Sequence, residues 1–531
     1  MESYQAIISG LGLTGGLLAN LLGACGMKVA VIERDAKFLG RSCTMTADYE
    51  AQRAFHMAGL AGPIEAEFYP HPGTEYLGGG GKFIKALSCK SDPFSLCWRP
   101  SFILHQPTLE GILRNGLNRF KNVHVFLGES VKRFAQDGDE VVVTTQHPNH
   151  GQRLFRGQYL LGCDGASSAV RRGMKSSLDD LGLDEWWVAV DAYVRTDARL
   201  PERCVRYCYP GRPGAYIVGP GHIRRWEMKI MPYEDPDQFN DSKYTRRILT
   251  NFVDTNLIDV LQTKAHRIRG LVAKRWRSGR VFLLGGAACQ MPPFLGEESC
   301  SGFQDAFNFA WKLNSVILGG ADSSVLDTYA KERRPQACAA VESAKCLSLV
   351  VGELDGNIAL QRDELLVAGV KAVAQPLVLQ PMGSRLRAGL IARGVGDYKR
   401  AAGALFPQPW VETSGGKKRL DDVVRWGFYV VSLDEELAQI AACEFAGVPV
   451  LADSKVVLVG ASVAVREQIL CVSGRNLDLK SWFDAFGVRI AIVRPDGFAY
   501  GAANTSRQLR ALIKSLLLAL SRTNGTAIHP L

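Results

Sequence analysis

The chain has 531 residues, of which 47% are hydrophobic and 22% are charged. This composition is that of an ordinary globular protein, so a disordered chain, a coiled-coil rod and a collagen-like fibre are excluded. At roughly 150 residues per domain, the length predicts about two to four domains. The formal net charge of +10 fits acidic small molecules, phosphates, nucleic acid or a membrane surface as partners. Because the basic residues are scattered, a solvated surface is favoured over a nucleic-acid patch.

The cysteines and the N-terminal residues indicate the compartment. The 13 cysteines are odd in number and scattered, and no two are spaced as CxxC, which is typical of reduced thiols. The first residues lack the basic stretch of a signal peptide. The apolar run over 6–32 is long enough to span a bilayer, but it contains six glycines, Asn20 and Lys28. We therefore expect a cytoplasmic protein without a membrane span.

A glycine-rich motif near the start of the chain predicts a dinucleotide site. The residues from Gly10 to Gly15 fit the pattern G-x-G-x-x-G. Gly10 permits a tight turn, Gly12 lets backbone N–H groups approach a pyrophosphate, and Gly15 allows close packing of a helix on a strand.

The segments around this motif strengthen the prediction. Strands are predicted over 4–9 and 28–32, with a helix over 17–22 between them. The N-terminus of that helix offers partial positive charge to an anion. Glu33 follows the second strand, where its carboxylate can accept hydrogen bonds from ribose hydroxyls.

Two further motifs follow in the chain. Residues 159–172 predict a strand that ends in the turn Asp164-Gly165, before a basic helix start. Residues 279–294 predict a strand and a loop, and residues 301–313 an amphipathic helix whose apolar positions recur at helical spacing. Taken alone, this spacing indicates only that the apolar side chains pack in the hydrophobic core.

In this order the motifs resemble the single-component, class A flavin-dependent aromatic hydroxylases, and within them the 3-(3-hydroxyphenyl)propionate hydroxylase-like members. The resemblance also rests on the Arg41 segment, on residues 105–107 with Glu110 and Arg114, and on residues 219–227. It covers nearly the whole chain. It implies bound FAD, reduction by NADH or NADPH, and reaction with O2 to a flavin C4a-hydroperoxide that passes oxygen to a phenol.

The resemblance implies an α/β fold with a Rossmann-like FAD-binding domain, an inserted β-sheet substrate domain and a C-terminal thioredoxin-like domain. We expect the FAD-binding domain over 1–175, with some substrate-domain strands near 70–100, and again with connecting helices over 270–393. The substrate domain is expected over 176–269 and the thioredoxin-like domain over 394–531. Because the last of these lacks CxxC, a packing or dimer-supporting role is expected rather than dithiol chemistry.

The resemblance also implies the cofactor-binding residues. It assigns the pyrophosphate to the glycine motif, the adenosine ribose to Glu33, and the phosphates and ribityl chain to Arg41 and Gln106. Asp164 belongs to a motif that touches the pyrophosphate and NAD(P)H. The full set of expected cofactor-binding residues is Gly10, Gly12, Leu13, Thr14, Gly15, Glu33, Arg34, Arg41, Gln106, Asp164, Gly286, Pro293 and Gly296.

The chain departs from the family pattern at four places. Gly286 replaces an Asp whose carboxylate holds a ribityl hydroxyl, a loss of about 1.5–3 kcal/mol if nothing replaces it. Cys289 replaces His, and Glu297-Glu298 replaces Gln-Gly. Ser167 stands where Arg is common. Three of the four changes lie close together, at the redox end of the flavin, which suggests that this part of the site has changed its use.

Three functions are therefore compared. The first is an FAD-dependent monooxygenase that hydroxylates a small phenolic or polyketide-like substrate. The second is a repurposed enzyme of non-redox cyclase or isomerase type, with structural or absent FAD. The third is a flavin-less small-molecule binding protein. A yellow protein that consumes NAD(P)H favours the first over the other two.

Substrate-site residues are predicted more loosely. Strands in 176–269 would line an apolar pocket, and Tyr207, Tyr216 or His266 could help to deprotonate a phenol, although each is individually more often a packing residue. Cys289 is a candidate nucleophile, with a small core residue as the plainer interpretation. The expected partners are the aromatic substrate and NAD(P)H, with no nucleic acid and a possible homodimer.

The remaining chain is expected to be structural. Residues 394–416, rich in Gly, Pro and Ala, predict a domain boundary. The predicted elements are helices over 327–350 and 358–391, the second interrupted at Pro376 and Pro381, strands over 427–431, 456–459 and 488–493, and a closing helix over 506–520.

Overall fold

The computed structural model describes most of the chain, in fourteen stretches. They are residues 2–38, 44–89, 97–195, 199–291, 297–371, 378–379, 385–392, 400–413, 416–446, 448–451, 454–460, 465–466, 469–473 and 477–521. The chain forms two units. Unit 1 consists of Met1–Asp92, Arg99–Ala306 and Gln336–Met382, and unit 2 of Pro93–Trp98, Phe307–Pro335 and Gly383–Leu531. The division of the sequence at 175, 269 and 393 stays a prediction.

The described strands of unit 1 form a mixed sheet with a parallel centre, a second large sheet and a small three-stranded sheet. They are β1 (Ser3–Ser9), β2 (Val29–Glu33), β3 (Thr44–Asp48), β4 (Tyr69–Pro70), β5 (Thr74–Leu77), β6 (Phe83–Cys89), β7 (Ser101–His105), β8 (Val123–Leu127), β9 (Ser130–Asp137), β10 (Glu140–His147), β11 (Gly151–Gly162), β12 (Leu178–Val194), β13 (Cys204–Tyr207), β14 (Gly214–Val218), β15 (Ile223–Lys229), β16 (Ile258–Ala273), β17 (Arg277–Ser278), β18 (Val281–Leu283), β19 (Cys289–Gln290) and β20 (Val378–Leu379).

The described strands of unit 2 are β21 (Trp410–Thr413), β22 (Gly416–Arg419), β23 (Tyr429–Ser432), β24 (Lys455–Gly460), β25 (Val465–Arg466), β26 (Ile469–Ser473), β27 (Ile490–Val493) and β28 (Ala499–Ala503). The α-helices in the described residues are α1 (Leu13–Ala24), α2 (Tyr49–Met57), α3 (Ala61–Glu65), α4 (Gln106–Gly116), α5 (Ala169–Gly173), α6 (Ser242–Leu249), α7 (Glu297–Ile317), α8 (Asp327–Val351), α9 (Gly356–Lys371), α10 (Leu420–Val424), α11 (Glu435–Ala446), α12 (Leu477–Phe486) and α13 (Ser506–Leu520). None of the described helices combines the length and the hydropathy needed to cross a bilayer.

The first sheet carries the predicted dinucleotide motif. Its strands follow the order β17-β18-β11-β1-β2-β8, with β10 and β9 added antiparallel beside β11. The pairs of β1 with β2 and with β11 are parallel, and β1–α1–β2 is a βαβ unit. The apolar residues of β1 and β2 are fully buried because strands of such a sheet are covered on both faces. The predicted Rossmann-like domain is confirmed.

The second sheet is largely antiparallel and has two different faces. Its order is β19-β16-β12-β15-β14-β13-β5-β6-β20. Since side chains alternate along a strand, Val188 and Val190 of β12 lie on the face packed against Leu249 of α6. Trp187 lies on the opposite face, where it joins a cluster with Val351 of α8. The inserted sheet that was predicted is therefore present.

Unit 2 contains the thioredoxin-like fold that was predicted. Its six-stranded sheet has the order β25-β26-β24-β23-β27-β28. Helices α11 and α13 pack on one side through residues such as Phe445 and Leu516. Helix α13 occupies the predicted range 506–520, and its first turn has a capping box formed by Thr505 and Gln508. Strands β25, β26 and β28 of this sheet were missed.

The segment predicted as helical over 358–391, with interruptions at Pro376 and Pro381, is helical in its first part, and its described later residues are not. Helix α9 ends at Lys371, residues 378–379 form a strand that pairs in parallel with Ser88 and Cys89 of β6, and the described residues 385–392 are not helical. Two prolines in this stretch explain the difference, because proline removes an N–H donor and clashes with the preceding helical turn.

Candidate functional site

The three glycines of the N-terminal motif have different surroundings. Gly10 has φ of +103°, and a Cβ added there would lie 2.5 Å from the carbonyl oxygen of Cys163. A Cβ on Gly15 would lie 2.0 Å from the carbonyl oxygen of Gly10. A Cβ on Gly12 would have nothing within 4 Å. The first and third glycines thus permit close backbone packing, whereas Gly12 faces open space.

The N-terminus of α1 is the positive end of the motif. Its N-cap residue, Gly12, is extended and offers no side chain as a cap. The first N–H groups of the helix have no intrahelical partner and carry partial positive charge. Thr14, in the first turn, packs against a second glycine turn, because a Cβ on Gly285 would lie 2.4 Å from its Oγ1. This helix start can therefore bind an anion.

Glu33 connects the glycine turn to the end of β2. Its Oε2 accepts a hydrogen bond of 2.7 Å from the backbone N–H of Leu11, and its Oε1 accepts one of 2.9 Å from Asp35. The side chain is only 7% exposed. Each carboxylate oxygen keeps acceptor capacity, so Glu33 can fix the turn and still accept from a ribose hydroxyl.

Asp164 shapes its own turn. Its Oδ1 accepts a hydrogen bond of 2.5 Å from the hydroxyl of Ser168, and its Oδ2 accepts from the backbone N–H groups of Ala169 and Val170 at 2.7 and 3.1 Å. Gly165 follows with φ of +74°. The carboxylate is therefore engaged at the start of α5, and the turn presents backbone rather than a free carboxylate to a ligand.

These elements surround a cavity of about 430 Å³ within unit 1. Its walls include Gly10, Gly12, Glu33, Arg34, Glu110, Arg114, Asp164 and Arg172. Gln106 contacts this wall indirectly, since its Nε2 donates to Oε1 of Glu110 at 2.7 Å. The Nε of Arg114 is buried and has no hydrogen-bond partner among the described residues. Open space at Gly12 and an unsatisfied guanidinium N–H together fit a phosphate-bearing ligand.

The second glycine turn depends on a residue that the sequence did not single out. The backbone N–H of Gly285, whose φ is +56°, donates to Oδ2 of Asp305 at 3.0 Å. Asp305 is fully buried in α7. The sequence signal that could have pointed to Asp305 is that an acidic residue lies beside the apolar stripe of the helix predicted over 301–313. Gly286 lies beside Gly165, since an added Cβ would lie 3.3 Å from the Cα of Gly165.

Three expected cofactor-binding residues, Arg41, Pro293 and Gly296, lie outside the described residues. Cys289 is described, and it is a 4% exposed residue of β19 that pairs with Val272 of β16. Its burial agrees with the interpretation of a small core residue.

The candidates for phenol deprotonation lie on different faces of the second sheet. Tyr207 and Tyr216 belong to the apolar cluster beneath α6, and burial raises the pKa of both hydroxyls. The Tyr216 hydroxyl donates to the carbonyl oxygen of Pro201 and accepts from Nε of Arg224, both at 3.1 Å. His266 pairs with Trp187, and paired residues share a face, so it lies on the opposite side. The structure does not bring these three residues together.

A family model described as an FAD binding domain matches residues 3–344. The chain belongs to this family. A second model, described as the HcaD C-terminal domain, matches residues 403–519.

Individual proteins that are similar to this chain match it over nearly its whole length. A 3-(3-hydroxy-phenyl)propionate/3-hydroxycinnamic acid hydroxylase of Klebsiella pneumoniae is 28% identical over 98% of this chain and 96% of its own. A protein of Rhodococcus jostii, named as a probable NADH-specific resorcinol 4-hydroxylase, is 30% identical with the same coverages. The solved flavin-dependent monooxygenase PieE, in complex with FAD and substrate, shares the fold with a TM-score of 0.80 at 20% identity, covering 98% of this chain and 99% of PieE.

These findings identify an FAD-dependent monooxygenase that uses NAD(P)H, and they favour this function over a non-redox enzyme or a flavin-less binding protein. The residues described above fit the dinucleotide part of FAD. An uncapped helix start, the open face of Gly12 and the unsatisfied Nε of Arg114 suit two phosphates, and Glu33 suits a ribose.

Replacing Gly286 with aspartate should tighten FAD binding. The variant introduces the carboxylate that the resemblance implies at this position, and its Cβ would lie 3.3 Å from the backbone Cα of Gly165, which must move by a few tenths of an ångström. One hydrogen bond to a charged group is worth about 1.5–3 kcal/mol, so the Kd for FAD should fall by about 10- to 150-fold. Fluorescence titration of the apoprotein with FAD measures this, and Gly286→Ala controls for the added Cβ. An equal Kd for both variants would show that a ribityl hydroxyl is not within reach of this position.

Proposed function

We propose that the protein hydroxylates a small phenolic or polyketide-like compound, with NADH or NADPH as reductant and O2 as oxidant. The observation that carries the proposal is the glycine turn and helix start over Gly10 to Gly15, in a chain that aligns over 98% of its length with two phenol hydroxylases. When bound, FAD accepts hydride from NAD(P)H and activates O2 for transfer to the substrate.

The protein's own residues hold this cofactor and exclude water from it. In the proposal, the N-terminus of α1 and the backbone of Gly12 bind the pyrophosphate, while Arg34 and Arg114 neutralise its charge. Glu33 binds the adenosine ribose. Asp164 keeps its turn in the shape that admits the phosphates.

The other expected contacts, at Leu13, Thr14, Arg41, Gln106, Gly286, Pro293 and Gly296, remain part of the proposal. The formal net charge of +10 supports an anionic nicotinamide dinucleotide and an aromatic carboxylate as partners. A cytoplasmic location, based on cysteine usage, and a homodimer supported by the thioredoxin-like domain also stay predictions.

The purified protein tests the proposal directly. We expect it to show the flavin absorbance bands, to oxidise NADH or NADPH faster when resorcinol or 3-(3-hydroxyphenyl)propionate is added, and to place one oxygen atom from isotopically labelled O2 in the product. A colourless protein that cannot be reconstituted with FAD would overturn the proposal. So would substrate-stimulated NADH oxidation that leaves no label in either phenol.

A further inference from the structure

A group of buried charges lies on the face of the second sheet that Tyr207 and Tyr216 do not share. Arg225 of β15 donates from Nη1 to Oδ2 of Asp191 and from Nε to Oε1 of Glu227, each at 2.8 Å. All three side chains are buried. Asp191 and Arg225 are directly paired across β12 and β15, so they project from the same face.

One carboxylate oxygen of this cluster lies outside the hydrogen bonds to Arg225. Asp191 is 2% exposed, and its Oδ1 has no hydrogen-bond partner within the described part of the chain. Buried polar atoms in native proteins are almost always paired, so an oxygen of this kind points to a ligand that supplies a donor. A phenol hydroxyl is such a donor.

The position of Asp191 agrees with a place in the active site. The backbone N–H of Thr44 in β3 is directed at the Asp191 carboxyl group and lowers its pKa. On the other side, β19 directly follows the glycine turn at Gly285 and joins the same sheet through β16. The cluster therefore lies in the sheet whose edge strand β19 follows directly on the glycine turn at Gly285.

We propose that the substrate's phenol hydroxyl donates a hydrogen bond to Oδ1 of Asp191, and that Asp191 then accepts its proton. This rests on the proposed hydroxylase function. In the step, the O–H bond of the phenol breaks, its electron pair stays on the phenol oxygen, and the proton bonds to Oδ1. The phenolate that results is the more electron-rich substrate for oxygen transfer.

The charges of the cluster favour this step. With both carboxyl groups ionised, Asp191, Arg225 and Glu227 carry one net negative charge, and uptake of one proton leaves a neutral pair of Arg225 and Glu227. Burial raises the pKa of Asp191 to about 6, and the Arg225 guanidinium only partly offsets this effect. The titratable groups around it are Arg225 and Glu227, and Glu227 is itself influenced by His266 and Arg206.

The test compares Asp191→Asn with Asp184→Asn in the FAD-loaded protein. Asp184 lies on the same strand, but its carboxylate pairs with Arg267 at the surface, with both side chains more than 40% exposed. Resorcinol binding is measured by calorimetry between pH 5 and 8, with 1,3-dimethoxybenzene, which has no hydroxyl, as the second probe. We expect the affinity of the wild type for resorcinol to fall as the pH drops through about 6. Asp191→Asn should bind resorcinol about tenfold more weakly, without this pH dependence, and should bind the ether normally.

Turnover gives the second readout. Asp191→Asn should lower kcat for resorcinol by about 100-fold, which is typical for loss of a general base, while NADH still reduces the flavin and Asp184→Asn keeps wild-type rates. Equal resorcinol binding and turnover in the two variants would overturn the assignment. If Asp191→Asn does not fold, the wild type still decides, because resorcinol affinity that is constant from pH 5 to 8 would overturn it. A wild type that contains FAD but never hydroxylates either phenol would instead count against the proposed function.

Discussion

Replacing Glu332 with glutamine is expected to lower the free energy of unfolding of unit 2 by about 3–5 kcal/mol, the usual cost of removing one partner from a buried ion pair. Glu332 in α8 accepts from Nζ of Lys312 at 2.7 Å and from Nη2 of Arg494 at 2.8 Å. The side chains of all three residues are completely buried. The variant keeps the shape of Glu332 but leaves two buried cations with Asp496 as their remaining acidic partner in this cluster.

Urea unfolding followed by circular dichroism measures this effect. Glu444→Gln is the matched control, because Glu444 pairs with Arg510 at the surface and such pairs contribute at most about 1 kcal/mol. A loss no larger than that of the control would mean that the buried cluster relaxes or admits water when Glu332 is neutral.

The same cluster predicts how stability depends on pH. Burial alone would raise the pKa of Glu332, but Arg494 and Lys312 outweigh it and lower the pKa to about 2. Since the folded pKa lies below the unfolded value, the stabilisation is fully present above about pH 4.5 and is lost as the pH falls toward 2. Glu332→Gln should lack this loss, which unfolding curves across that range would reveal.

Alanine at Gly15 and at Gly12 should have opposite effects on folding and on FAD binding. At Gly15 the new Cβ would lie 2.0 Å from a backbone oxygen, so we expect the apoprotein to lose about 3 kcal/mol of stability. At Gly12 the Cβ enters open space, and the stability of the apoprotein should stay within about 0.5 kcal/mol of the wild type. There, the methyl group instead keeps a pyrophosphate away from the N–H groups of α1.

Loss of one to two charge-assisted hydrogen bonds should weaken FAD binding to Gly12→Ala by about 100-fold or more. Urea unfolding of the apoprotein and fluorescence titration with FAD separate the two effects. Gly26→Ala is a control for helix-end glycines away from the cavity, although its φ of +80° adds some backbone strain of its own. Unchanged FAD affinity in Gly12→Ala would contradict the proposed pyrophosphate site.

Much of the fold could be predicted because its signals are local. Parallel strands read as continuous apolar runs, and the ends of α13 are marked by Thr505 and Gln508 within one turn. Strand β26 was missed because its short apolar run has no distinctive pattern or turn signal. The helical prediction over 358–391 recognised two interrupting prolines but extended helix beyond them, where the described residues 385–392 are not helical.

The candidate site, like the fold, could be predicted from the sequence only in part. The tight turn at Gly10 and the close packing at Gly15 could be predicted because both depend on backbone shape, which residue type reports directly, whereas the contact of Gly12 with a pyrophosphate stays a prediction. Asp305 was missed because its partner, the N–H of Gly285, is 20 residues away. The cluster of Asp191 and Arg225 was missed for two reasons. It depends on which face of the sheet each side chain occupies, and the two residues are 34 positions apart in the sequence.

The sequence by itself determined the glycine turn, the fold class and the family, since these follow from backbone requirements and from motifs in a fixed order. Only the tertiary structure decided which charges are buried together, such as Glu332 with Arg494, which are 162 residues apart in the chain. It also decided that Tyr216 and Asp191 face opposite ways. Such pairings depend on packing between distant segments, and the cost of burying a charge is set by the partner that packing provides.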